Sequence, residues 1–165
     1  MRNLVLIINV FLYLSSFSQS NDSTLKYYDK ARKMFKVSFD KSNMGYDVSF
    51  NEWIKVDSVF MKVNEIDPDF QPAYLYRARI YSNIDPDCKQ GLAKFYYEKV
   101  IEKSVIDLET YKKDILEAYN YLGYYYLVNE QYCESINYWK KINRIDTENK
   151  NAIQAMETLK SRCKN

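Results

Sequence analysis

The stretch from Leu116 to Asn149 constrains the fold more than any other. It reads Leu-Glu-Ala-Tyr-Asn-Tyr-Leu-Gly-Tyr-Tyr-Tyr-Leu, breaks at Asn129-Glu130-Gln131, resumes as Tyr-Cys-Glu-Ser-Ile-Asn-Tyr-Trp-Lys-Lys-Ile, and closes on Asp146. Ile115, Tyr119, Leu122 and Tyr126 recur at steps of four, three and four, which places them on one helical face. Tyr132, Ile136, Trp139 and Ile142 follow similar steps in the second arm. The short polar break suits two antiparallel helices. Gly123 sits mid-helix, where glycine costs about 1 kcal/mol relative to alanine. Close approach of a neighbouring helix is a reason to keep it, and the small Ser135 of the second arm is expected to face that gap. Neither helix can bury its stripe alone, so the pair needs neighbours.

Leu122-Gly123, Tyr126, Tyr132, Ser135, Trp139, Ile142 and Asp146 resemble a tetratricopeptide repeat (TPR), a helix–turn–helix unit of about 34 residues. The family pattern has an aromatic where Tyr119 stands, then Leu-Gly, then a tyrosine. It has a small residue at Ser135 and an aromatic at Trp139. Ser135 and Ile142 replace the usual alanines, and Thr147 replaces the closing proline.

Earlier segments read as looser copies. Leu25 to about Phe39 is a helix, Asp40–Val48 a loop, and Ser49 precedes a clean helix carrying Phe50, Trp53, Val56, Phe60 and Val63, which stops at Asp67-Pro68. Gln71–Tyr81 opens a second copy with Pro72 in its first turn, where proline is tolerated. Its Tyr74, Ala78 and Tyr81 match Tyr119, Gly123 and Tyr126. Leu92–Ile101 is its second helix. The third copy is expected to start near Glu109 or Thr110. Asn149–Cys163 carries Ala152, Ala155, Met156, Leu159 and Cys163 on one side and polar residues on the other, as a solenoid's capping helix needs. The resemblance thus implies an all-α superhelix of about three helix pairs plus a C-terminal capping helix, as a single domain over residues 25–163.

Residues 1–18 have the layout of a cleaved export signal. Arg2 is followed by an apolar run from Leu4 to Leu14, interrupted by Asn9, and by small residues Ser16 and Ser18. The run is short of the roughly 20 residues a membrane span needs, so no stable membrane insertion is expected after cleavage. Residues 19–24 are read as a disordered, polar start. The location implied is the periplasm or cell envelope of a bacterium, or the exterior. Loss of Arg2 takes the net charge of +2 to +1, which gives no electrostatic case for nucleic acid. Only three glycines and three prolines argue against an all-β or disordered chain.

No histidine is present, which removes Ser-His-Asp and Cys-His catalysis and the common zinc sets. The acidic residues lie scattered on polar helix faces. A non-enzymatic protein without cofactor or metal is therefore expected. Asn83-Ile-Asp85-Pro-Asp87 begins like a calcium loop, but Cys88 stands where glycine is required and Lys94 where glutamate is. Asp85 or Asp87 is read instead as the cap of the following helix. Lys26, Lys30, Arg32, Lys33 and Lys36 are read as a solvated face.

Cys88, Cys133 and Cys163 are an odd count. In the repeat layout Cys133 opens a second helix and Cys163 ends the next one, near the same edge. A disulfide between them is one reading; small semi-buried thiols are the reading given precedence.

Tyrosine fills 17 of 165 positions. Tyr74, Tyr81, Tyr97, Tyr119 and Tyr126 belong to the core by register. Others fall outside it. In proteins resembling this repeat, first helices line a concave groove that grips a partner peptide. By that likeness Leu75, Tyr76, Arg79, Asn120, Tyr121, Tyr124 and Val128 face the groove. Arg79 is available there to pair with a partner carboxylate. The implied function is a non-catalytic interaction module that binds a peptide or helix of another exported protein. The alternative is a structural subunit of an envelope assembly, stacking through its convex face or ends.

Overall fold

The computed structural model describes residues 2–163, with side chains from Asp22 onward. Among the described residues there are seven helices and no strand: α1 (Arg2–Asn43), α2 (Phe50–Ile66), α3 (Gln71–Ile84), α4 (Lys94–Ser104), α5 (Lys112–Val128), α6 (Tyr132–Ile145) and α7 (Lys150–Leu159). The side chains of the expected export signal lie outside the described residues. Among those described, no helix is long and apolar enough to cross a membrane. The chain divides into two compact units, one ending at Ala73 and the other beginning at Tyr74, so the division falls in the first turn of α3.

In the first unit α1 and α2 pack as a hairpin. Phe35 meets Trp53 at 5.8 Å between ring centres, and Tyr28 meets Phe60 at 6.1 Å, so the helices run antiparallel. Ala31, Phe35, Trp53, Val56, Phe60 and Val63 are buried along the seam. Residues 22–24, expected to be frayed, are already helical, and Thr24 is buried. α1 also runs past the expected stop at Phe39. Its end is set by Gly45, in the left-handed region at φ 81°. There the Gly45 amide donates to Ser42 O at 3.0 Å and the Tyr46 amide to Lys41 O at 3.0 Å. This paired pattern satisfies the last carbonyls and favours glycine. Ser49 caps α2, its Oγ accepting from the Glu52 amide at 3.2 Å. The Glu52 carboxylate accepts from Ser38 Oγ and Lys41 Nζ, which ties α2 to α1.

In the second unit α4 packs on α5, α5 on α6, and α6 on α7. α3 joins through a stacked Tyr81–Tyr96 pair with ring centres 4.9 Å apart. One buried cluster gathers Leu75, Ala78, Ala93, Tyr97, Val100, Ala118, Tyr121 and Leu122; a second gathers Ile136, Trp139, Ile142, Ala152 and Leu159. Gly123 has the role its position suggested. A Cβ there would lie 2.9 Å from Trp139 Cε2. Ser135 Oγ donates to Gly123 O at 2.7 Å and accepts from Trp139 Nε1 at 3.0 Å. The α5–α6 turn ends like α1, with the Glu130 amide donating to Leu127 O and the Gln131 amide to Tyr126 O. Here the left-handed position holds Glu130, at φ 61°, rather than glycine.

Cys133 and Cys163 form a disulfide with Cα atoms 4.8 Å apart, so the expectation of two free thiols there is corrected. The start of α6 and the residues just past α7 meet at one edge, as the repeat layout required. Cys88 is the free, buried cysteine.

Candidate functional site

α3, α4 and α5 bring Arg79, Tyr97 and Tyr76 together around Glu117. Arg79 donates from Nε to Glu117 Oε1 at 2.8 Å and from Nη2 to Oε2 at 2.6 Å, a two-pronged ion pair. Tyr97 OH donates to the same Oε1 at 3.1 Å. The Arg79 guanidinium also lies over the Tyr76 ring, 5.5 Å from its centre. The bond to Glu117 raises the Arg79 pKa, while burial, then the Glu117 charge, raise that of Tyr97. Arginine therefore stays charged and tyrosine stays protonated across the accessible pH range. Both partners of the ion pair keep about a third of their side-chain surface open (33% and 34%), so solvent screens it and its main contribution is geometric.

The seven groove candidates separate into three groups. Leu75 and Tyr121 are core residues, 5% and 8% exposed, and Tyr121 stacks on Tyr97 with ring centres 4.6 Å apart. They offer no open surface, which corrects their placement on a groove wall. Arg79 is not waiting for a partner carboxylate, because Glu117 already supplies one. Val128 is half-buried against the first cluster. Asn120 and Tyr124 are exposed, Tyr124 at 44%, and Tyr76 is half-buried beside Arg79. Glu117 was missed, although it precedes Asn120, Tyr121 and Tyr124 by three, four and seven positions and so shares their stripe.

Other tyrosines form a seam rather than a free surface. Lys94 Nζ lies over Tyr125 and Tyr126, 5.3 and 5.1 Å from the ring centres. Tyr126 stacks on Tyr138 at 5.5 Å, and Lys141 Nζ sits 4.5 Å from the Tyr138 centre. This alternation of ammonium and ring joins α4, α5 and α6.

The calcium-like segment is a turn. Asp85 accepts from the amides of Gln90 and Gly91 at 3.0 and 2.9 Å, so it closes residues 85–91. It does not cap α4, which starts only at Lys94. Among the described residues no group of three Cys, Asp or Glu is placed to hold a metal. Beside this turn Cys88 is buried, and that burial pushes its thiol above the usual range.

A separate cavity of about 390 Å³ is lined by Leu108, Glu109, Lys112, Ile115, Tyr119 and Ile145. The loop leading to it exposes Val105, Ile106 and Leu108, with Ile106 84% open. None of the seven candidates lies there.

The chain is similar to a solved structure, the C-terminal part of a TPR repeat-containing protein from Cytophaga hutchinsonii. Identity is 36%, the TM-score is 0.64, and the match covers 76% of this chain and 46% of that one. The chain thus spans about half the length of the structure it matches. No protein-family model and no curated protein matches the sequence. The fold is all-α and TPR-like.

Proposed function

We propose that the protein is a non-catalytic module that binds a peptide or helix of another exported protein across the faces of α3 and α5. The observation that carries this reading is the exposed pair Asn120 and Tyr124, with half-buried Tyr76, beside the Arg79–Glu117 pair. Aromatic rings with polar tips give contact area at low ordering cost, and amides adapt to backbone groups. The ion pair fixes α3 against α5, so these side chains are held before a partner arrives. The TPR-like neighbour supports an interaction module in general. Export is supported by Arg2 and the Leu4–Leu14 run, and by a disulfide of a kind that persists in oxidising compartments.

The test is partner affinity, with the partner recovered by crosslinking from the native envelope. Asn120→Ala with Tyr124→Ala weakens capture about tenfold or more, at unchanged thermal stability. Unchanged affinity in a folded variant removes the groove from the account.

The second reading, a structural subunit, is favoured by the exposed Val105, Ile106 and Leu108 beside the 390 Å³ cavity. It predicts self-association of the mature chain that Ile106→Asp abolishes.

A further inference from the structure

α7 has 10 residues, fewer than any other helix of its unit. A helix shorter than about 12 residues is marginal in water without packing. Its packing is thin. Ala152 and Leu159 are buried, Ala155 and Met156 are half-buried, and Ile153 faces outward. Leu159 is thus the one full-sized aliphatic side chain it encloses. The cluster it joins is larger: Ile136, Trp139 and Ile142 of α6, with Leu116, Tyr119 and Leu127 of α5 packed against that cluster.

α7 is fastened differently at its two ends. At its start, Asn149 Oδ1 accepts from the Ala152 amide at 3.0 Å, and Asn149 Nδ2 donates to Asp146 Oδ2 at 3.1 Å. These bonds lie within the turn and order it locally. At its far end the tie reaches across to the start of α6. There the Cys133–Cys163 disulfide spans 30 positions, and Arg162 lies over the Tyr132 ring at 5.3 Å while donating to Tyr132 OH at 3.3 Å. Cys133 and Cys163 are half-buried rather than enclosed, and Arg162 is exposed. The hydrogen bonds that join α5 to α6 at Gly123, Ser135 and Trp139 involve no residue of α7.

We propose that Cys133–Cys163 is a redox latch on α7. Oxidised, it holds the helix over the Trp139 face. Reduced, it lets α7 open while the α5–α6 pair stays folded. The reductant is a dithiol, a small molecule or a protein with two neighbouring thiols. One of its thiolates attacks a sulfur of the Cys133–Cys163 bond, forming a mixed disulfide and releasing the other cysteine as a thiolate. The second thiol of the reductant then displaces the first cysteine. Two electrons pass to the chain, both cysteines end as thiols with the protons of the dithiol, and the reductant ends as a disulfide. What remains at the far end is the burial of Leu159 and the exposed Arg162–Tyr132 contact, the latter weak when open to water.

The experiment is hydrogen exchange read by mass spectrometry on the full chain, before and after dithiothreitol, with thiol labelling to verify reduction. The expected result is at least tenfold faster exchange of amides in residues 153–160, with rates across α5 and residues 136–142 unchanged. The Cys133→Ser/Cys163→Ser variant reproduces the fast pattern without reductant and ignores dithiothreitol. Unchanged α7 protection after verified reduction overturns the proposal. So does joint loss of protection across α5, α6 and α7, which makes the bond a requirement of the whole unit. Resistance of the native disulfide to millimolar dithiothreitol overturns it as well.

Discussion

Between α1 and α2 the seam is filled by rings. Phe35 and Trp53, then Tyr28 and Phe60, interleave from the two sides, and the small residue Ala31 is buried among larger ones. Between α5 and α6 the seam is closed by the absence of a side chain. Gly123 lets the Trp139 ring press against the α5 backbone, and Ser135 bonds the carbonyl so reached. The first arrangement rests on apolar volume, which several residue combinations can supply. The second rests on one missing methyl group and two hydrogen bonds, which few combinations can. The difference explains why the repeat pattern is sharp in one pair and blurred in the other.

The largest effect expected follows from removing a ring. Trp139→Ala costs about 3–5 kcal/mol, because the indole fills the space over Gly123 and its loss removes the donor to the buried Ser135 oxygen. Trp53→Ala stays at the lower end of that range, since neighbouring rings can shift inward. Urea titrations of the two variants check this, and equal losses erase the contrast. A smaller effect tests the glycine. Gly123→Ala costs about 1–3 kcal/mol by overpacking against Trp139, whereas Ala31→Gly costs only about 1 kcal/mol through backbone entropy. In a Trp139→Phe background most of the Gly123→Ala penalty disappears, a coupling that a double-mutant cycle measures.

The smallest effects concern the turns that close the two hairpins. Both use a left-handed residue, Gly45 at φ 81° and Glu130 at φ 61°. Gly45→Ala therefore lowers thermal stability by about 1 kcal/mol, and Glu130→Gly raises it by up to about 1 kcal/mol. Opposite signs in paired melting curves sharpen the comparison; a loss in both would break it.

What the sequence revealed follows the same division. Gly123 and Ser135 announced their contact because a mid-helix glycine has few reasons to exist, whereas the Trp139 ring over Gly123 was not foreseen. The stop of α2 at Asp67 was legible from local chemistry, and the structure has it. The end of α1 was misplaced by reading polar composition, when the stop is the left-handed Gly45. α5 starts at Lys112 rather than near Glu109, because Asp107 Oδ1 accepts from the Thr110 amide at 3.0 Å and holds residues 107–110 in a turn. The site was harder. Tyr121 lies off the α5 stripe and is buried because Tyr97 of α4 comes to stack on it, and helical periodicity within α5 carries no word of that neighbour. Arg79 looked free for the same reason, since its carboxylate stands 38 positions away. Asn120 and Tyr124, which the likeness to the repeat put on the groove, are exposed.

The chain contains two tryptophans, and each unit holds one of them, Trp53 in the first and Trp139 in the second. The protein therefore carries its own pair of optical labels. Both rings are almost fully shielded from water, so each emission band shifts to the red when its own hairpin opens. Trp53→Phe leaves a chain whose fluorescence follows the second unit, and Trp139→Phe leaves one that follows the first. Two melting curves from these single-tryptophan chains would time the units separately without an attached dye.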